Sequence, residues 1–300
     1  MSTITVVGSM NMDIVLQVDA FPKPGETIAG KGTKMNPGGK GANQAVAAAR
    51  LGGNVKMLGA IGEDSFSEQL LHSLKKDQIQ INDIVQKNST SGLAFITVAE
   101  NGDNHIVLEE GANGELTVED VRERLDFTNK NQTILLQNEI PWNVNECIIK
   151  EASANQIPVY LNPAPAKEIP SELYPLLTGI FLNESEANML TGVEVRDRHS
   201  VQEAIDILLQ RGTEEVIITM GKDGAYYADN SGEFFHTTAS DVRVVDTTAA
   251  GDTFIGAYLV MFTEGKSPKE RIEFSSKAAG ITVTRSGAQE SIPRMGEVQL

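Results

Sequence analysis

Three hundred residues, 40% of them hydrophobic, are enough for one large α/β domain or two smaller ones with a sizeable core. Lysine and arginine number 25 against 41 aspartates and glutamates, and no basic run interrupts the net charge of -16, which argues against a nucleic-acid or anionic-membrane partner. Cys147 is the only cysteine, so neither an internal disulfide nor a cysteine-built metal site is available. No apolar run approaches the roughly 18 residues of a membrane span, and no basic segment precedes an apolar one at the N-terminus; a soluble cytoplasmic protein is expected.

Residues 4–8 read as a buried first strand ending in a glycine. Residues 14–18, the Pro-Gly turn at 21–25 and residues 26–29 follow as short antiparallel pieces. Residues 38–41 form a loop before an alanine-rich, buried helix over 42–51. A strand at 55–61 leads to an amphipathic helix at 64–77, with Phe66, Leu70, Leu71 and Leu74 along one side. A second antiparallel patch comprises 92–99, an Asn-Gly turn at 101–103 and residues 105–108. From Thr117 onward helix and strand alternate, with strands at 133–136, 159–161, 180–182 and 215–219 and helices at 118–125, 144–154, 184–190 and 201–210. That alternation predicts an α/β fold, a doubly wound, mostly parallel sheet with helices on both faces. A last antiparallel pair, 225–228 and 234–237, precedes two closing helices at 251–263 and 269–283. The two early patches do not fit such a sheet and are expected to pair as a small β-sheet beside it. No repeat, low-complexity tract or linker divides the chain, so residues 1–300 are expected to form a single domain.

Several chemistries lack their motifs. The run at 38–41 has neither the spacing nor the hydroxyl of a P-loop, and no G-x-G-x-x-G follows the first strand. His72, His105, His199 and His236 are scattered without metal-ligand spacing, and there is no G-x-S-x-G elbow. The informative stretch is 246–257, DTTAAGDTFIGA. Ala249, Ala250 and Gly251 are small enough for a tight turn, and the apolar run behind them reads as a buried helix with Asp252 on its first turn. Unpaired N–H groups and the helix dipole there favour an anion. An anion site beside a carboxylate suits phosphoryl transfer to a hydroxyl, the amides holding the phosphate and Asp252 taking the proton. The competing account makes Asp252 a plain N-cap. Other positions stay open on the residues alone. Asn11 and Asp13, just past the first strand, are sugar-hydroxyl partners or turn residues. Gly39, Gly41 and Asn43 permit close approach of a small ligand beside Lys40, or merely turn the chain into a helix. Glu139 is a ligand contact or a solvated strand-end charge. Asn183 and Glu186 fit a capping box, and 219–224 fits a hairpin turn.

GGKGANQA at 38–45 and DTTAAGDTF at 246–254 resemble the two signature motifs of the ribokinase (PfkB-type) family of carbohydrate kinases. The similarity runs over nearly the whole chain, through GSMNMD at 8–13, LNPAPA at 161–166, NESEA at 183–187 and VTRSGAQ at 283–289. The resemblance implies ATP-dependent phosphorylation of a sugar, D-ribose at its primary hydroxyl foremost, with Asp252 as general base and an anion hole at Ala250, Gly251 and Asp252. It implies sugar contacts at Asn11, Met12, Asp13, Gly39, Lys40, Gly41, Ala42, Asn43 and Glu139. Nucleotide contacts are implied at Asn183, Thr219, Met220, Gly221, Lys222, Asp223, Gly224, Gly251 and Ser276, with Mg²⁺ held through water by Glu186. A K⁺ site is implied at Asp246, Thr248, Thr282, Arg285, Gly287 and Ser291, where Arg285 would offer its carbonyl. Residues 14–34 and 92–109 match a β lid over the sugar that also forms a homodimer contact. Ala249 replaces a glycine found in many members. The same resemblance leaves room for a 2-deoxyribokinase, and behind it a fructokinase, nucleoside kinase or ketodeoxygluconate kinase; the spacing of Asn11 from Asp13 favours ribose. A sugar-sensing protein without catalysis is the alternative from another class, and the intact Asp252 turn argues against it.

Overall fold

The computed structural model describes residues 2–298. Its elements run in the order β1 (Thr3–Val7), β2 (Asn11–Val18), β3 (Gly32–Gly38), α1 (Lys40–Arg50), β4 (Asn54–Ile61), α2 (Ser67–Lys76), β5 (Gln80–Gln86), β6 (Gly92–Ala99) and β7 (Asn104–Glu109). They continue as α3 (Val118–Arg124), β8 (Gln132–Gln137), α4 (Trp142–Ala154), β9 (Val159–Asn162), β10 (Gly179–Asn183), α5 (Glu184–Thr191), α6 (Arg198–Gln210), β11 (Glu215–Thr219), β12 (Ala225–Asp229), β13 (Phe234–Thr237), α7 (Ala250–Thr263) and α8 (Pro268–Thr282).

The main sheet has nine strands in the order β13-β12-β11-β10-β9-β8-β1-β4-β5. From β11 to β5 every pair is parallel, and β12 and β13 add an antiparallel edge. Alternation along the strands divides the core in two. Ile4, Val6, Met57 and Leu135 pack with α1, α2, α7 and α8, whereas Val7, Leu58, Ile134 and Leu136 pack with α3 to α6. The doubly wound reading is thereby met, with helices on both faces. Strand β1 lies between β4 and β8. The winding direction reverses there, and in open α/β sheets a ligand crevice opens at the carboxyl ends of such strands. No helix among the described residues is long and apolar enough to cross a membrane.

A separate four-stranded sheet has the order β3-β2-β6-β7. It joins the two early patches, but differently from expectation. Its central pair, β2 with β6, is parallel, and only the flanking pairs are antiparallel. Residues 26–29 form no strand; the partner of β2 is β3, later in the chain. Asn11 and Asp13 stand on β2 rather than in a turn, and the loop expected at 38–41 shrinks to Gly39, whose φ of 88° only glycine adopts freely. Strand β5 escaped the sequence reading because its edge position leaves it mixed and polar, with Val85 its one buried residue.

Candidate active site

Helix α7 begins at the carboxyl ends of the parallel strands and is buried over most of its length. Ala249 caps it in the left-handed region, at φ 61°, and Asp252 is the third helical residue, so the plain N-cap account fails. The Ala250 N–H donates to the Thr247 carbonyl, whereas the N–H groups of Gly251 and Asp252 find no acceptor among the described residues. The N–H groups left open at this helix end are therefore those of Gly251 and Asp252, one residue fewer than the three the resemblance implied. A Cβ on Gly251 would meet nothing within 4 Å, so there is open space over this turn.

The Asp252 carboxylate accepts from the side-chain amides of two consecutive α1 residues. Asn43 Nδ2 reaches Oδ2 at 3.1 Å and Gln44 Nε2 reaches Oδ1 at 2.9 Å. Lys40 opens the same helix, and its backbone N–H donates to Glu139 at 3.1 Å, as does the Ser9 hydroxyl. Burial alone would lower the Lys40 pKa, but the carboxylates of Asp252, Glu139 and Glu186 outweigh it and hold the ammonium above its usual value. Asp13, 9% exposed, is pushed up to about 7 by burial first, then by Glu139 and Asp252. Asn11 lies on the same face of β2, and its Oδ1 accepts from Asn113 Nδ2 at 2.8 Å. Met12, on the opposite face, and Ala42 are buried in the apolar core, so neither side chain reaches this cluster.

Beyond Asp252 a cleft is lined by Lys40, Asn162, Asn183, Glu186, Thr219 and Gly251. Asn183 and Glu186 form a full capping box at the start of α5: Asn183 Oδ1 accepts from the Glu186 N–H at 2.8 Å, and Glu186 Oε2 accepts from the Asn183 N–H at 3.0 Å. The cap does not turn Glu186 away, since it lines the cleft and its carboxyl is raised by burial despite the Asn183 N–H and Lys40. The cleft continues past Thr219 and Gly251 into a more apolar compartment of about 470 Å³, bounded by Gly221, Lys222 and Gly224 on one side and by Phe254, Ser276 and Val283 on another. Met220 and Asp223 do not line it. The Met220 side chain packs in the core, and Asp223 is exposed with its carbonyl against His236.

Asp246 and the loop after α8 are tied together. Asp246 Oδ1 accepts from the Thr248 N–H and hydroxyl, and Oδ2 accepts from the Gly287 N–H at 2.9 Å. Thr282 Oγ1 donates to Thr253 Oγ1, the Ser291 hydroxyl donates to the Ala288 carbonyl, and the Arg285 guanidinium pairs with Glu297.

Four residues outside the sequence-derived set belong to this site: Ser9, Gln44, Gln137 and Asn162. Gln137 and Asn162 end two buried strands, as Asn183 and Thr219 end the next two, so a polar residue closes each of β8 to β11 at the crevice. That repetition was legible as a signal; Gln44 adjoined Asn43 in the glycine-rich motif.

A helix end with two unpaired N–H groups, a carboxylate and a half-buried lysine above the strand ends of a doubly wound sheet define a phosphotransferase cleft. The family model for the pfkB family carbohydrate kinases matches residues 1–295, and the chain belongs to that family. A ribokinase from Haemophilus influenzae is 42% identical over 98% of this chain and 96% of its own length. The structure of Arabidopsis thaliana ribokinase complexed with ribose and ATP superposes with a TM-score of 0.90 at 30% identity, covering 99% of this chain and 97% of that one. A deoxyribokinase from Salmonella typhi is 34% identical over 97% of this chain and 95% of its own.

Proposed function

We propose that the protein transfers the γ-phosphoryl group of ATP to the primary hydroxyl of D-ribose. The observation that carries this is Asp252, clamped by two amides between the carboxylate-rich cluster around Asp13 and the free N–H groups of Gly251 and Asp252. As the sugar oxygen bonds to the γ-phosphorus, its proton passes to Asp252 and the bond to the ADP oxygen breaks. The two N–H groups, with Lys40, stabilise the charge spreading over the transferring oxygens. Asn11, Asp13, Gly39, Gly41, Asn43 and Glu139 hold the sugar, Asp13 accepting from two hydroxyls. Thr219, Gly221, Lys222, Gly224 and Ser276 contact the nucleotide in the apolar compartment, and Asn183 lies by its phosphates.

Mg²⁺ fits the charge balance, because three carboxylates, Asp252, Glu139 and Glu186, act on the one ammonium of Lys40. Glu186 has lone pairs left after capping and would hold the ion through water, which suits the hydration Mg²⁺ keeps; the ion would neutralise phosphate charge. K⁺ fits the Asp246 loop. The carbonyls of Thr248, Arg285 and Gly287 accept no hydrogen bond among the described residues, and such oxygens suit a hard monovalent ion. With Asp246, Thr282 and Ser291 they would order the turn carrying Gly251. We further read the chain as one kinase domain whose second sheet, from 14–34 and 92–109, is a lid over the sugar and a homodimer contact. Its expected setting is the cytoplasm, where ATP is available.

The test is ADP release from MgATP with D-ribose, 2-deoxyribose or fructose, each in K⁺ and in Na⁺. Ribose should give the highest kcat/KM, and K⁺ should raise it. Asp252→Asn should lower kcat by ~10²–10⁴ while calorimetry still detects ribose binding. Preference for 2-deoxyribose would reassign the substrate, and ribose binding with no turnover by the unmodified protein would favour a sensor.

A further inference from the structure

Gln44 is fully buried, and every polar atom of its side chain is used. Its Oε1 accepts from Gln137 Nε2 at 2.7 Å, and its Nε2 donates both to Asp252 Oδ1 at 2.9 Å and to Asn162 Oδ1 at 3.1 Å. The direction of each amide in this array is determined. Asn162 Nδ2 donates to the Phe181 carbonyl, which can only accept, so Asn162 must turn its oxygen toward Gln44. The Asp252 Oδ1 accepts from Gln44 Nε2, so Gln44 turns its oxygen to Gln137. These two accepting ends thus fix the polarity of the chain between them.

We propose that Gln44 is the positioning residue for Asp252: its amide locks the rotation of the carboxylate so that Oδ2 faces the sugar hydroxyl and Oδ1 stays turned into the buried array. This deepens, and rests on, the reading of Asp252 as the base. An aspartate carboxylate is otherwise a broad two-fold rotor. Here it also lies within the electrostatic reach of the Lys40 ammonium, which would pull on an unclamped carboxylate. Asn43 is the partner of Oδ2, so Gln44 supplies the only side-chain tie to Oδ1 among the described residues. A base turned by an ångström or less is enough to cost a large share of turnover without touching sugar affinity.

The experiment is a double-mutant cycle. Gln44→Met keeps the length and removes the donor. It should lower kcat with ribose and MgATP by ~10–100-fold and leave the ribose KM within about twofold. In an Asp252→Asn background the same change should cost nothing further, because there is no base left to orient. If Gln44→Met does not fold, Gln44→Glu takes its place: it still accepts from Gln137 but offers Asp252 a repelling carboxylate, and the same split is expected. An unchanged kcat, a loss borne by KM, or an equal loss in the Asp252→Asn background would each overturn the proposal and leave Gln44 a packing residue. An unmodified protein that releases no ADP with any sugar would instead overturn the kinase reading and this inference with it.

Discussion

Asp13 is a carboxylic acid held in a setting that resists its ionisation. Burial, then the charges of Glu139 and Asp252, push it up to about 7, against ~3.9 for a free aspartate. Between those values the folded chain keeps a proton that the unfolded chain has lost. The stability this group contributes is therefore complete below about pH 4 and is lost as pH rises through about 7. Melting curves of the ligand-free protein should show it: the Tm of the unmodified chain should fall relative to Asp13→Asn between pH 5 and 8. Sugar binding should run the other way. If Asp13 accepts from two hydroxyls, only its ionised form is competent, and ribose affinity should rise about tenfold from pH 6 to 8. The same affinity at both ends, or an Asp13→Asn protein with the same pH dependence, would remove Asp13 from the sugar site.

The two helices that meet at Asp252, α1 and α7, are set by how closely they can approach. A Cβ on Gly256 would lie 2.6 Å from Ala47 Cβ and 2.8 Å from the Ala48 nitrogen, so the missing side chain lets α7 rest directly on α1. Farther along α7, Tyr258 donates to the buried Glu215 at 2.7 Å, as does Tyr160 from β9. Alanine in an open helix would gain ~1 kcal/mol over glycine, but crowding a packed core costs ~1–3 kcal/mol. Gly256→Ala should therefore destabilise by ~1 kcal/mol in a urea titration and lower kcat as Asp252 moves from its amide partners; equal or higher stability would refute the close-packing account. Much of this architecture could be read from residues in isolation. The buried β-branched strands, the alanine-rich α1 and the small-residue turn before α7 each carry a local signature, and so did the motifs around Asp252. What could not be read depended on long-range pairing. The parallel register of β2 with β6, the edge strand β5 and the contact of Gln44 with Asp252, 208 positions away, have no local periodicity to announce them. Met220 and Asp223 went astray for a related reason: a motif assigns a loop to a ligand, but only the fold decides which of its side chains turn inward.

At the scale of the whole molecule, the main sheet is covered on both faces, but the second sheet is not. Residues of opposite parity to Asp13 line one face of it, where the register sets Ile14 beside Met35 and Phe95, and Phe95 beside Val107. Met35, Phe95 and Val107 are 54%, 43% and 66% exposed. In a chain with a net charge of -16, apolar side chains aligned across all four strands are more than scattered surface leucines and valines. A second copy of the sheet laid on this face would bury them without bringing a basic partner against an acidic protein. Phe95→Glu combined with Val107→Glu should then convert a dimer, measured by light scattering, to a monomer. The ribose KM should rise in the same variant, because Asn11 and Asp13 lie on the reverse of the same sheet, on β2, and a sheet freed of its partner holds them less firmly. A wild-type chain that is monomeric at micromolar concentration, or a double variant that stays dimeric, would remove this face from assembly.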